Sequence, residues 1–474
     1  MTRKFKLPDY EATLNTPILL KDALSEDHLA RFVVDIISQL DLSKIYAGYA
    51  EKGGEAIAPE SLLGLLFYGY ASGIFSSRKL EKATYENLGV RYVAGGLHPD
   101  HDTIANFRKS FLSELQGLFV QILLMAKVAG VLKMGNLSLD GSKIHADASK
   151  SHAVSYKRLL EIERQLKEEV AELFELGEKA DQGEIQLPEG FLVQDEVVLR
   201  QDRLMKLVEA KAILEARAQE RYENEKVEYD NKMREREAKA RKRKRKHSGK
   251  TPKPPEAGPR DKDQFNFTDS ESRIMKNSTN DGFDQHYNVQ AAVEQNSMLI
   301  VATSLSNHPN DKKEAEPTLQ ALPAELGRPN AVALDNGFFS EANIRVIEGY
   351  GIQPYIATGR EAHRKDLNVL LGKLPQVPAP DASPKEKMAY KLATEIGQAI
   401  YRLRTPALAG GARECTVEPV IGIIKEIMGF RQFSLRGLKK VAGEWCLVCL
   451  AFRLRRQAHA HLDAWIGVFS RAYY

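Results

Sequence analysis

The sequence has few cysteines, little net charge and no long apolar run, and each shortage excludes something. Three cysteines in 474 residues, Cys415, Cys446 and Cys449, cannot build a disulfide framework. Cys446 and Cys449 have the spacing of a redox or zinc pair. They lie, however, in the apolar run from Trp445 to Phe452, with no second Cys or His pair at ligand spacing. Both therefore read as small buried hydrophobes, and a reducing, cytoplasmic setting is expected. The first ten residues, Met1 to Tyr10, hold no apolar h-region, and no later stretch stays apolar for the ~18–20 residues a membrane helix needs. Neither export nor a membrane partner is expected. A formal net charge of +4 is too small to announce a nucleic-acid partner, so the distribution of charge must carry that argument.

What is present is the composition of a globular protein, with 43% hydrophobic and 28% charged residues. The length exceeds the roughly 250–300 residues at which single cores stop growing, so several domains are expected. Residues 1–132 carry helical periodicity, as in Leu29–Ile37 and Pro59–Tyr68, and two further helical runs follow Ser76 and Asp100 as N-caps. Residues 133–155 open with a short strand from Asn136 that is expected to end near Asp140. Residues 156–263 are dense in Glu, Lys, Arg, Ala and Leu and read as coiled-coil-like helices. A break at Gly183–Gly190 folds them into a hairpin, and the second arm ends in the basic run Lys239–Lys246 and a Pro- and Lys-rich linker. Residues 264–474 begin with α/β character: strands Tyr287–Val293 and Met298–Thr303, a helix over Asp311–Leu326, the strand Ala331–Asp335, a helix over Glu341–Tyr350 and the strand Pro354–Ala357. Mainly helical sequence follows, with the apolar segment Val441–Leu454 expected to pack on a mixed sheet.

Asp140 and Asp335 each follow an apolar strand and precede a turn-forming element, Gly141 in one case and Asn336-Gly337 in the other. Ligands bind at strand ends in open α/β sheets, and paired carboxylates suit Mg²⁺ or Mn²⁺. Glu418 is a lone carboxylate on an apolar segment, with Lys425 two helical turns later on the same face. Two metals about 3.5–4 Å apart can activate a hydroxyl on one side of a phosphodiester and stabilise the leaving oxygen on the other. An Asp at a strand end is nonetheless more often an N-cap or turn former, so spacing alone does not identify the site. A zinc reading of His145, His152 and Asp147 is disfavoured by the oxygen-rich surroundings.

Longer strings carry more. Leu139–Lys150, Asp269–Lys276, Leu334–Ser340, and Val417–Lys425 with Gly429–Gly437 resemble, in order and context, the motifs of bacterial insertion-sequence DDE transposases of the eleven-eighty-two group. Tyr68–Tyr70, Ser76–Glu81 and Phe107-Arg108 resemble their helical N-terminal domain. The resemblance covers nearly the whole chain. It implies a mixed α+β architecture: an RNase H-like catalytic domain split into residues 133–155 and 264–474 by a helical insertion at 156–263, after an all-helical domain at 1–132 for DNA binding or dimerisation. Asp140, Asp335 and Glu418 become the catalytic metal ligands, for Mg²⁺ or Mn²⁺ and two ions. The partners become double-stranded DNA, as element ends and target, and a second copy of the chain in the synaptic complex.

In such families the third acid's helix also carries Tyr, Arg and Lys residues that contact end DNA, and Tyr401, Arg404 and Lys425 match these. Here Thr405–Ala412 intervenes between Arg404 and the Glu418 motif. Either Arg413 takes the place of Arg404, or the Gly-rich segment loops out, or this copy is impaired. Phe338 and Arg453 stand where Tyr and Asn are common. Arg431, Arg436 and Lys244 complete the expected DNA contacts, Lys244 by phosphate neutralisation within the basic run. Arg78, Lys79, Arg108 and Lys109 are further candidates for reading element ends. Two other readings use the same residues: a transposase-derived DNA-binding protein without activity, and a metal-dependent nuclease that hydrolyses without joining.

Overall fold

The computed structural model describes residues 5–11, 19–49, 54–243, 251–277, 282–359, 377–402 and 417–460. Backbone contacts divide the chain into two compact units, Met1–Asp147 with Glu271–Tyr474, and Ala148–Ser270.

The first unit is built on a six-stranded sheet of β1 (Leu137–His145), β2 (Arg273–Lys276), β3 (Phe283–Glu294), β4 (Ile300–Ser306), β5 (Ala331–Leu334) and β6 (Gln353–Ile356). β1 lies between β3, its antiparallel partner over nine residue pairs, and β5, its parallel partner. β6 adds in parallel to β5, while β2 and β4 both pair antiparallel along the far edge of β3. Gln285 to Glu294 of β3 are buried without alternation, as expected of a central strand covered on both faces. The hairpin of β3 and β4 and the strands β5 and β6 match the sequence reading.

Two expectations need correction. β1 does not end near Asp140 but continues to His145, because β3 is long enough to pair with all of it. Gly141 permits this: a Cβ there would stand 2.4 Å from Gln290 Nε2. The helix expected over Asp311–Leu326 is instead Ala315–Gln320 followed by a 3₁₀ turn, Ala324–Leu326. Pro323 lies at the break and cannot donate the backbone hydrogen bond a continuous helix requires.

The helices at Leu29–Ile37 and Pro59–Ala71 form where their periodicity predicts, with Pro59 in the first turn. Asp100 caps His101–Ser110 by accepting from the Thr103 N–H at 2.7 Å. These helices and the sheet belong to the same unit because the C-terminal helix, Leu438–Ala460, packs on both. From Leu447 to Leu454 that helix is buried on every side. Trp445 donates its indole N–H to the Gln290 carbonyl at 3.2 Å. Arg453 is fully buried. Its guanidinium lies 3.8 Å over the Phe119 ring and donates to the carbonyls of Phe119, at 2.9 Å, and Ile300. Burial pulls its pKa down to about 9.

The second unit is a helical hairpin, Tyr156–Asp181 and Val193–Arg243, turning back at the Gly183–Gly190 break. Leu159, Leu166 and Leu173 recur every seven residues along one buried face. Leu159 and Leu166 pack with Leu207, Ala210, Leu214 and Phe265 in a core of the unit's own. Glu163, between the arms, accepts from Lys167 at 2.6 Å and Lys211 at 3.2 Å. A two-stranded ribbon, Ala153–Ser155 against Gln264–Asn266, closes the base.

Among the described residues no single helix is long and apolar enough to cross a membrane. One bent pair, His101–Ser110 and Glu114–Val128, passes by length and composition, but Ile104, Phe107, Leu118 and Ile122 on it are buried in the protein core.

A buried polar chain joins the N-terminal helices to the C-terminal one. Arg108 donates to the Tyr70 hydroxyl at 2.8 Å, and that hydroxyl donates to Glu444 Oε1 at 3.1 Å. Glu444 also accepts from the Ser434 hydroxyl and from the Ser434 and Leu435 N–H groups, each of the latter at 3.0 Å. Removing the carboxylate strands these donors and a buried guanidinium, a loss of about 3–5 kcal/mol. Glu444→Ala is expected to lower the urea midpoint followed by tryptophan fluorescence, and Glu444→Gln to lower it less. Equal midpoints for wild type and Glu444→Ala would disprove the assignment.

Candidate active site

The register of β1 against β5 sets two acids side by side. Ser138 lies opposite Ala333 and Leu139 opposite Leu334, so the next residue on each strand is an aspartate, Asp140 and Asp335. Adjacent strands are about 4.8 Å apart, and alternation puts both aspartates on the face of Ser138 and Ala333. On that face Ala331, Ala333 and Tyr355 pack with Ile400, and Gln295 bridges Ser138 Oγ to the Ile400 carbonyl, each at 3.0 Å. Both aspartates are half-buried. Asp140 Oδ1 accepts from the Gly141 N–H at 2.8 Å. Asp335 caps the turn Asn336–Phe338 by accepting from the Gly337 N–H, so it is a turn former as well as a strand-end acid.

A third aspartate, Asp311, stands at the same end of the sheet, and sequence reasoning missed it. It lies in the loop after β4, where the polar run Asn307–Lys313 looks like an ordinary solvated connection. Its Oδ1 accepts from Lys143 Nζ at 3.3 Å, Asn288 Nδ2 at 2.8 Å and Gln290 Nε2 at 3.0 Å. Burial lowers the Lys143 pKa, and Asp311 opposes that shift.

Glu418 is exposed in the first turn of the short helix Val417–Gly422, which packs on β1 and β3 and continues into a π-helical turn, Ile423–Ile427. Lys425, in that turn, donates to the Lys143 carbonyl of β1 at 3.1 Å. The Gly429–Gly437 motif that follows hooks onto the end of β1: the His145 N–H donates to the Arg431 carbonyl at 3.1 Å and the Phe433 N–H to the His145 carbonyl at 2.9 Å. Among the described residues no three His, Cys, Asp or Glu side chains stand together as a metal site. Asp140 and Asp335 are thus brought to one edge, and Glu418 reaches the same strand without closing a three-ligand cluster. In kind the donors, carboxylate oxygens, fit a hard divalent cation.

The remaining expected residues divide. Tyr401 packs beside Ile400 on the face of Ala331 and Ala333. Arg431 pairs with Glu426, and Arg436 with Asp147 at 2.8 Å. Arg404, Arg413, Lys244 and the segment Thr405–Ala412 lie outside the described residues. Arg78, Lys79 and Lys109 are exposed, whereas Arg108 is buried in the Tyr70 chain and is a core residue, not a surface contact. Cys446 and Cys449 are free and buried, and burial pushes the Cys446 thiol up to about 12, as suits a small hydrophobe.

Comparison with known proteins adds two matches. Residues 19–110 match the family described as Transposase domain (DUF772), and residues 250–454 match Transposase DDE domain. No curated protein and no solved structure matched the chain.

His286, paired with His145 across β3 and β1 with rings 4.2 Å apart, titrates unusually. Burial is the main cause that lowers its pKa to about 4 from 6.5, against the hydrogen bond to the Asp284 carbonyl that favours the charged form. The folded value lies below the unfolded one, so its contribution is complete above pH 6.5 and is lost as the pH falls through 4. The linkage is worth about 2–3 kcal/mol. His286→Gln should flatten the decline in urea midpoint between pH 6.5 and 4, and an unchanged pH profile would contradict this.

Proposed function

As a member of the DDE transposases, the chain acts on DNA, and we propose that it does so through Asp140, Asp335 and Glu418 in an RNase H-like domain. The observation that carries this reading is the register placing Asp140 beside Asp335 on one face of two parallel strands. The strand order supports the fold: β4, β3, β1, β5 and β6 lie in sequence across the sheet, antiparallel on one side of β1 and parallel on the other. A fold of that kind presents its ligands at the carboxyl ends of the parallel strands.

DDE transposases use divalent metal ions. We assign Mg²⁺ or Mn²⁺, as two ions, to the three acids. When bound, such ions supply Lewis-acid polarisation of the scissile phosphodiester and lower the pKa of the attacking hydroxyl. The protein's own part is positional. The β1–β5 register fixes the separation of the two aspartates, and the helix of Glu418 is held to β1 through Lys425. The Lys425 ammonium, half-buried and held on a carbonyl, is placed to meet a DNA phosphate. Burial lowers its pKa, which makes a phosphate partner the more favourable. The substrate is the pair of element ends, whose exposed 3′-hydroxyls attack target DNA. Joining two ends at once calls for at least two copies of the chain.

The test is an in vitro reaction with labelled element ends, a plasmid target and Mg²⁺. Wild type is expected to cut and join, while Asp140→Ala, Asp335→Ala and Glu418→Ala each lose both reactions and keep DNA binding. Cutting without joining would identify a nuclease, and activity in any of the three variants would remove that residue from the site. Lys425→Ala should weaken end binding across sequences and reduce the slope of log affinity against log salt by about 1. An unchanged slope would exclude a phosphate contact.

A further inference from the structure

A cavity of about 610 Å³ opens in the first unit where four elements meet: the facing ends of helices His101–Ser110 and Leu438–Ala460, the helix Glu114–Val128 and the strand β4. Leu112, Phe119, Leu305 and Trp445 give it apolar wall, and Lys109, Lys439 and Lys440 give it charge. Among the described residues no Asp or Glu lines it. All three lysines are exposed, and among the described residues none has a carboxylate partner. The acids on neighbouring turns are engaged elsewhere. Glu114 accepts from the Ser113 hydroxyl at 3.0 Å, Glu271 from the Leu438 N–H at 2.8 Å, and Glu444 belongs to the buried chain with Tyr70.

The fold, not a run in the sequence, gathers these cations. Gly443 lets the C-terminal helix approach Leu112 so closely that a Cβ there would stand 2.9 Å from Leu112 Cβ. Lys439 is one turn before Gly443 on the same helix face, and Lys109 is three residues before Leu112, so this close approach brings them to one cavity. The placement of Lys439 and Lys440 also runs against helix electrostatics. They occupy the first turn of their helix, which holds no acid, and the positive end of the macrodipole there favours anions. Like charges gathered beside that terminus repel one another, and an anion among them removes the repulsion. A cleft lined by one sign of charge with low-dielectric walls focuses its field on whatever enters.

We infer that Lys109, Lys439 and Lys440 form a second DNA-contacting surface, which holds the phosphate backbone of a duplex at the β4 edge of the sheet. β3 separates β4 from β1, so this surface grips DNA apart from the acids and from Lys425. The inference rests on the chain's acting on DNA, as DDE transposases do, and not on the assignment of Asp140, Asp335 and Glu418. Three cations drawn from two helices suit a partner with repeating phosphates better than a single small anion. Ammonium groups meet phosphate as point charges, so the surface adds affinity and positions the duplex without reading its bases.

Binding of a fluorescein-labelled duplex of arbitrary sequence to the full-length protein, followed by anisotropy in EDTA over a salt series, tests this without turnover or metal. Each lysine that neutralises a phosphate contributes about 0.9 to the slope of log affinity against log salt. The variant combining Lys109→Gln, Lys439→Gln and Lys440→Gln is expected to lower that slope by about 2–3 and to weaken binding at low salt about tenfold or more. A control with the same loss of charge at the exposed Lys179, Lys206 and Lys385 should keep the wild-type slope. An unchanged slope in the cavity variant, or equal falls in variant and control, overturns the inference. If Lys425→Ala lowers the slope and the cavity variant does not, this surface is no DNA contact and the reading of Lys425 stands. Absence of any duplex binding by wild type overturns the inference together with its premise. Should the cavity variant unfold, acetylation of wild type read by mass spectrometry decides. Bound duplex is expected to protect Lys109, Lys439 and Lys440 and to leave Lys179 reactive, and full reactivity of all four excludes the contact. Protection by inorganic pyrophosphate but not by duplex would assign the cavity to free phosphates and equally overturn it.

Discussion

The pairing of β1 with β5 is the constraint on which the rest of the first unit depends. It joins Leu139 to Leu334, far apart in sequence, and closing so long a loop has an entropic cost that local contacts do not repay. β3 offsets that cost. Its buried run from Gln285 to Glu294 gives β1 a template nine residue pairs long, so the register of β1 is specified by β3 independently of the three pairs β5 adds on its other edge. A slip of one residue would turn Asp140 to the opposite face and separate it from Asp335. The same template explains how a separate helical unit can interrupt the chain between β1 and β2: the sheet's order is set by β3 and not by the connection. The insertion needs only its own core, and Leu159, Leu166, Leu207 and Leu214 provide one.

The C-terminal helix supplies a second kind of order, through buried polar groups. Arg108, Tyr70, Glu444 and Ser434 form one chain of hydrogen bonds, and Arg453 reaches carbonyls on both the Glu114–Val128 helix and β4. Apolar packing alone would tolerate several orientations of a helix that is buried on every side. Buried donors with one acceptor each do not tolerate them, since a misplaced partner leaves a charge unsolvated. This network also holds the turn at Ser434-Leu435, and through it the Gly429–Gly437 segment that is hooked to the end of β1.

Legibility in the sequence followed the range of the interaction. The hairpin of β3 and β4, the capped helix after Asp100 and the two coiled arms depend on neighbours a few residues away, and each could be read directly. Asp140 and Asp335 were legible as strand-end acids, and the extended strings around them resemble transposase motifs. The continuation of β1 past Asp140 was not legible, because Gly141 is a turn signal until Gln290 of β3 is known to fill its missing side chain. Arg108 reads as a surface cation beside Lys109. Nothing local reveals that Tyr70 and the Phe75 carbonyl bury it. Asp311 is hidden in the same way, since its three donors come from two distant strands.

Charge balance at the end of β1 ties these parts together. Two lysines lie there, Lys143 of β1 itself and Lys425 donating to it, and they are satisfied differently. Lys143 meets a carboxylate, Asp311, so its charge is cancelled where it stands. Lys425 meets a backbone carbonyl, and Glu426, the acid whose field it feels most, is itself paired with Arg431. A carbonyl dipole offsets only part of an ammonium charge, so positive potential persists at Lys425 while the aspartates opposite carry negative potential. On the proposed reading, a phosphodiester lying across this edge would meet the lysine on one side and, on the other, carboxylates that would hold a cation. Such an arrangement binds the backbone of DNA without reading its bases.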